Sequence, residues 1–215
     1  MTRRLAALAL TALALLAPAA AFAQETAPDA LVRKSIDEVL VLIKADKDLQ
    51  NGNPKKLHAL VEEKILPHFD FTRMTRLAVG RSWSQASDAQ KQALTREFQS
   101  LLVRTYSTSI SQYRNQTIDV KPAKIAAGDK DTVVRTVVNQ PGGQPIPIDY
   151  SMERAEKGWK VYDVVVDGVS LVTTYRGSFN EQIQKSGVDG LVKTLADRNR
   201  SSEAPKAPVK VDLKQ

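Results

Sequence analysis

Two aspartates come closest to a chemical arrangement. Asp163 and Asp167 stand four apart in Asp163-Val-Val-Val-Asp167-Gly168. Side chains alternate along a strand, so both would face one side of a sheet. A carboxyl in an apolar site on a cone of helix and curved sheet can do acid–base work, as ketosteroid isomerase does. That reading needs a second catalytic group, and none is identifiable. The plainer expectation is that Asp163 caps or pairs at the sheet and that Asp167 opens the Asp167-Gly168 turn.

The remaining candidates are weaker. His58 and His68 are the chain's two histidines. They are ten apart across an expected helix break, which is not the spacing of a two-histidine zinc helix. Asp129 and Asp131 flank Lys130, but a calcium loop needs more carboxylates in a fixed pattern. A solvated turn is expected there. The chain has no cysteine, which removes disulfides, cysteine zinc sites, thiol nucleophiles and lipidated cysteines. Phosphate-cradling glycine loops and the nucleophile elbow are absent as well. No catalytic residue, metal or cofactor is therefore expected.

Charge narrows the partners. The 215 residues are 26% charged, with formal net charge +7 and a pI near 9.6. The basic residues are scattered rather than gathered in a stripe interleaved with aromatics, so nucleic acid is not an expected partner. The basic excess suits anionic lipid headgroups, an acidic protein surface, or solubility alone.

The chain begins with an address. Arg3 and Arg4 precede an apolar run from Leu5 to Ala17, and Pro18 and small residues lead to Ala21-Phe22-Ala23. This is the charged, apolar and small-residue order of a secretory signal peptide, residues 1–23, with cleavage expected before Gln24. The run is short for a bilayer span of ~20 residues. Losing those two arginines takes the formal charge from +7 to +5. The expected destination is the periplasm.

After the expected cleavage site, Pro28 to Gln50 has an apolar stripe at helical period. Asn53-Pro54 caps and starts a second helix that ends near Pro67. A third candidate, Phe69 to Val79, is closed by Gly80. Ser87 and Gln90 form a capping-box pattern that opens a long helix to about Tyr113. Near residue 117 the period changes to two. Alternating segments around Ile118–Val120, Thr132–Val138, Ile146–Met152 and Trp159–Val166, with turns at Pro141-Gly142-Gly143 and Glu156-Lys157-Gly158, predict an antiparallel meander. Val161 and Val165 are expected to point opposite to Val164 and Val166. Leu171, Tyr175, Phe179 and Ile183 return to helical spacing, and Gly187 to Asn199 is a last short helix. The class is α+β: N-terminal helices on a curved antiparallel sheet of about four strands, then C-terminal helices. One domain is expected over residues 24–200, and 201–215 reads as a flexible tail. The residues alone leave open whether this core is filled or hollow.

Several blocks together resemble the MlaC family, also known as the toluene-tolerance auxiliary family. One runs from Phe69 to Gly80 and continues through Trp83, Glu97-Phe98 and Leu101-Leu-Val-Arg-Thr-Tyr106. The other runs from Gly158 to Arg176, with Phe179 and Gly190-Leu191 after it. The likeness covers about Pro28 to Asn199. It implies a periplasmic carrier with an apolar pocket that takes the acyl chains of a phospholipid while the headgroup stays near the mouth. The implied partners are phospholipid, the outer-membrane MlaA–porin complex, and the inner-membrane Mla transporter through the MCE protein MlaD. Phospholipid is then cargo, not cofactor, and the protein is not an enzyme.

Joining the apolar pattern to that implied pocket gives an expected wall. The helical half should contribute Phe98, Leu101, Leu102 and Tyr106. The sheet should contribute Val133, Val137, Ile148, Tyr150, Met152, Val164 and Val166. Val169, Leu171, Val172 and Tyr175 should close the mouth or rear. Arg176 belongs at the mouth, in partner docking, or in a surface salt bridge. Which strand face lines the pocket depends on register, since a slip of one residue inverts it. A small-ligand enzyme using Asp163 and an adaptor with a filled core remain as alternatives.

Overall fold

Capping side chains set the helix boundaries. The computed structural model describes residues 26–201 apart from 114 and 127. The expected signal peptide 1–23 and, apart from Ser201, the expected tail 201–215 lie outside the described residues. Helix α1 spans Pro28–Ala45 and begins on its proline. The expected single helix to Gln50 breaks at Asp46. The Asp46 carboxylate accepts from the Asp48 and Leu49 amides at 2.8 and 3.3 Å and starts the short α2, Lys47–Gln50. Asn53 caps α3, Pro54–Lys64, by accepting from the Lys56 amide. A 3-10 turn, Leu66–His68, leads to α4, Phe71–Val79, which Asp70 caps and Gly80 closes at φ 66°. Ser87 and Gln90 make the reciprocal bonds of a capping box at the start of α5, Asp88–Ser111.

Five antiparallel strands follow in sequence order: β1 Thr117–Val120, β2 Asp131–Asn139, β3 Ile146–Ala155, β4 Gly158–Val166 and β5 Val169–Ser170. The fifth was not expected. Asp167 and Gly168 both take positive φ, 49° and 78°, as a two-residue hairpin turn requires. The chain therefore folds back so that Val165 and Val166 pair with Ser170 and Val169. Helix α6, Leu171–Arg200, is broken at Gly187 (φ 69°), where the sequence expects two helices to meet.

A β-bulge in β4 changes which residues share a face. Ser151 pairs with Asp163 while Met152 pairs with Val161, so Tyr162 is the extra residue. Strict alternation places Val161 opposite to Val164 and Val166. The bulge instead puts all three on the same inner face, where they line one cavity. Tyr162 packs outward against the helices, and the Arg73 guanidinium stacks 3.5 Å from its ring centre. Arg73 also pairs with Asp131 at 2.8 Å and with Glu153, tying α4 to β2 and β3. Asp131, still 52% exposed at the start of β2, is thus also a structural anchor, while Asp129 closes the exposed turn before it by accepting from the Ala126 amide.

Two regions bury most of the apolar surface. Helices α4, α5 and α6 enclose Met74, Leu94, Phe98, Phe179, Leu191 and Leu195. Helix α1 lies over the inner sheet face, where Val32 packs with Val134, Met152, Trp159 and Val161. The Arg33 guanidinium donates to the Val120 carbonyl at 2.7 Å and fixes α1 to β1.

Candidate functional site

The inner sheet face and α1 do not close on each other completely. Between them, and bounded by α3 and the second half of α5, lies an apolar cavity of about 360 Å³. This is near the lower end of the usual ligand-pocket range, ~300–1,000 Å³. Helical spacing on α1 brings Leu31, Val32, Ile36, Val39, Leu40 and Ile43 to one wall. Strand alternation brings Ile118, Val138, Ile148, Tyr150, Met152, Val164 and Val166 to the other, with Val161 added by the bulge. Leu102, Val103, Tyr106, Ile110 and Tyr113 of α5 form one side. Val61, Ile65, Leu66, Phe69, Phe71 and Met74, from α3 to α4, add to the lining, and Leu171 contributes from the start of α6.

The polar atoms of this wall are largely turned back on the protein. The Ser35 hydroxyl donates to the Leu31 carbonyl at 2.9 Å, and Ser107 donates to Val103. The Tyr150 hydroxyl is bonded to Thr136, and burial pushes it up to about 12. Thr136 in turn donates to the Ile148 carbonyl at 2.8 Å. Burial also raises the Tyr113 hydroxyl. Burial lowers the His68 imidazole; Lys160 and Lys34 push it further down, against Glu38. Apart from the His68 imidazole and the tyrosine hydroxyls the lining carries no titratable side chain, so the wall is suited to hydrocarbon.

The expected wall residues divide into three groups. Leu102, Tyr106, Ile148, Tyr150, Met152, Val164, Val166 and Leu171 line the cavity. Phe98, Leu101, Val172 and Tyr175 do not; they belong to the packed helical core. There the Phe98 ring centre lies 5.1 Å from both Tyr175 and Phe179. Val133 and Val137 lie on the outer sheet face, because Val133 pairs with Ser151 and Val137 with Pro147, opposite in parity to the inner pairs Val134–Tyr150 and Thr136–Ile148. Val133 is 38% exposed. Val169, 47% exposed, stands just past the β4–β5 turn instead of closing the mouth. Arg176 is away from the lining and donates from Nε to the Leu77 carbonyl at 3.1 Å, holding the end of α4 to α6.

The sequence reading missed most of the α1 wall, the α3 side and the alternate face of β2. The β2 error had a visible remedy. Asp131, Arg135 and Asn139 share the parity of Val133 and Val137, so charge already marked that face as outer. The α1 stripe was visible, but a stripe does not say whether it meets packed atoms or a hollow.

Asp163 sits outside the cavity and its oxygens are committed. Oδ1 accepts from the Val164 and Val172 amides at 2.9 and 3.2 Å, and Oδ2 accepts from the Ser170 hydroxyl at 2.5 Å. It therefore holds the first turn of α6 to β4. Burial raises its carboxyl above the usual carboxylate range, opposed by Ser170 and the two amides. Asp167 occupies the turn. His58 is at the surface, 3.3 Å from Glu62. Among the described residues no group of three histidine, aspartate or glutamate side chains is placed to hold a metal ion.

Comparison with known proteins gives this geometry a context. The family described as MlaC protein matches residues 33–197. A toluene tolerance protein, ttg2D of Pseudomonas putida, is 28% identical over 169 residues, covering 78% of each chain. The intermembrane phospholipid transport system binding protein MlaC of Haemophilus influenzae is 25% identical over 174 residues, covering 80% of this chain and 81% of its own. A solved structure of the phospholipid-binding protein from Ralstonia solanacearum, in complex with a phospholipid, superposes with a TM-score of 0.74 at 45% identity. The match covers 80% of this chain and 97% of that one.

Proposed function

The chain belongs to the MlaC family, and from that premise we propose that it is a periplasmic phospholipid carrier, exported by its signal peptide. It binds phospholipid with the acyl chains in the cavity between α1 and the sheet. It moves that lipid between an outer-membrane MlaA–porin complex and an inner-membrane transporter met through MlaD, and performs no catalysis. The observation that carries the reading is the hydrocarbon-walled cavity, on a fold shared with a phospholipid-bound relative. Among the described residues no helix is long and apolar enough to cross a membrane.

Energetics explain why a cavity is needed. Exposing an acyl chain to water costs ~0.8 kcal/mol per methylene. Two chains of ~30 methylenes together therefore represent roughly 24 kcal/mol. Surface grease cannot replace that, and a wall on all sides can. A volume near 360 Å³ is small for two chains, so the cavity widens on loading. The wall is mostly Val, Leu and Ile, whose contacts with a flexible chain are not directional.

The test is the cargo itself. The protein purified from bacteria, without added lipid, should retain phospholipid by native mass spectrometry and by extraction, and should release no fatty acid or lysolipid on standing. Repeatedly lipid-free preparations would overturn the reading. Steady hydrolysis would make it an enzyme.

A further inference from the structure

We propose that the cavity has an anion subsite at one end, where His68, Lys160 and Lys34 receive the phosphate ester of an amphiphile whose chain lies along the apolar wall. This rests on the lipid-binding reading above and adds a place for the head.

The lining singles out His68. Every other side chain that lines the cavity is hydrocarbon, thioether or hydroxyl-bearing. The histidine ends the 3-10 turn Leu66–His68, and the turn is held firmly to the sheet edge. Phe69 bridges Val161, and the Asp70 amide donates to the Val161 carbonyl at 2.8 Å. The Lys160 ammonium donates to the Pro67 carbonyl, so a fixed cation stands beside the imidazole's own turn. Across from it on α1, Ser35 lines the cavity and Lys34 precedes it. Lys34 lies 3.8 Å from Glu38, and both side chains are largely exposed. So long an exposed pair is weak, and the ammonium is free to turn toward an incoming anion.

Elsewhere the lining offers no second imidazole: the Ser107 hydroxyl is spent on the Val103 carbonyl, as that of Ser35 is on Leu31, and the Lys44 ammonium lies over the Tyr113 ring at 5.8 Å. An amphiphile buries its chain and leaves its head where donors and water meet. Lys34, Lys160 and the imidazole face Glu38 there, Glu62 and Asp70 line the adjoining pocket beside Lys160, and the cavity's one imidazole with its two lysines marks that place. A neutral imidazole donates one N–H. A phosphate beside it offsets the burial and the lysine repulsion that keep the ring neutral, and so favours proton uptake. The groups facing the ring are Lys34 and Glu38 from α1 and Lys160 from β4.

The experiment uses the full mature chain, stripped of lipid, with dodecyl phosphate and dodecyl glucoside below their micelle concentrations and inorganic phosphate as a third probe. Calorimetry should show dodecyl phosphate binding roughly tenfold tighter than the glucoside, as one charge-assisted contact allows. Lys160→Met, outside the lining, should erase most of that preference and leave glucoside affinity unchanged, and His68→Gln, in the lining, should erase most of the preference whatever it does to glucoside affinity. Lys34→Ala, on an exposed helix position, should reduce it without affecting the fold. By NMR the His68 ring should titrate at higher pH with dodecyl phosphate bound. Equal affinity for both amphiphiles, or a preference untouched in all three variants, would sink the subsite while the carrier stands. Displacement of dodecyl phosphate by millimolar inorganic phosphate would overturn its assignment to an amphiphile's head. Binding of neither amphiphile would overturn the carrier reading and this inference with it.

Discussion

The helical bundle and the α1–sheet layer are built from similar residues and reach opposite ends. In the bundle, Phe98, Tyr175 and Phe179 interlock with ring centres 5.1 to 5.5 Å apart, and Leu94, Leu101, Leu191 and Leu195 fill what is left. Between α1 and the sheet, mostly aliphatic side chains face one another across a gap. There Ile148, Tyr150 and Val164 stay only half-buried within the folded chain. Three rings on facing helices make a solid; Val, Leu and Ile on a helix propped over a sheet leave a hollow. Composition does not separate the two regions. What separates them is how the rings meet: Phe98, Tyr175 and Phe179 pack on one another, while Tyr106, Tyr113 and Tyr150 are spread along the cavity wall on α5, just past its end and on β3.

Truncating the solid should expose the difference most. Phe98 is fully buried, and Phe98→Ala should cost about 3–5 kcal/mol in denaturant unfolding. The fraction that folds should keep its lipid. Ile148→Ala on the cavity wall removes a side chain with fewer packed neighbours and should cost about 1 kcal/mol. If the two truncations cost the same, the cavity is no softer than the bundle and the contrast fails.

The joint between the regions gives a smaller effect. Asp163 ties β4 to the start of α6 through two amides and the Ser170 hydroxyl. Asp163→Ala should lose about 1–2 kcal/mol, the usual range for a lost helix cap. Asp163→Asn can keep the amide bonds. Burial raises the folded-state pKa of this carboxyl, so the folded protein takes up the proton before the unfolded chain does. The sign follows: relative to Asp163→Asn, the parent protein gains stability as pH falls from neutrality through the raised value. The difference becomes constant below the ordinary aspartate range, ~3.9. Unfolding curves for both proteins across that interval check it, and a parent that instead loses stability relative to the amide would refute the burial argument.

Much of this architecture was legible because its signals are local. Asn53-Pro54, Ser87 with Gln90 and Gly80 mark helix ends with particular backbone bonds, and the helices begin or end there. Period-two runs placed β2, β3 and β4. The site was legible where local parity carried along a strand, as for Ile148, Tyr150 and Met152 on β3, and at Leu102, Tyr106 and Leu171 on the helices. It failed where a long-range choice intervened. No residue type announces that Tyr162 is the unpaired residue that brings Val161 round to the face of Val164. Nor does the Leu171-to-Tyr175 spacing say that Val172 and Tyr175 face the bundle while Leu171 meets the cavity. Asp46 was readable as a cap, yet the apolar stripe running past it hid the break between α1 and α2.

The two faces of the sheet supply the finest comparison. Val164 lines the cavity, and Val133 stands on the outer face beside Ser151. The same substitution to glutamate at each site places one carboxylate in the path of the acyl chains and the other in water. Val164→Glu should keep a native circular dichroism spectrum, because its neighbours border open space, and should lose most of the co-purifying lipid, since an ionised group in a hydrocarbon wall disfavours a chain beside it. Val133→Glu should change stability by no more than about 0.5 kcal/mol, the ordinary range at an exposed position, and leave lipid content unchanged. The ratio of lipid retained by the two variants measures register directly. If Val133→Glu empties the protein while Val164→Glu does not, the lipid lies on the outer face, and the cavity between α1 and the sheet is not the carrier's hold.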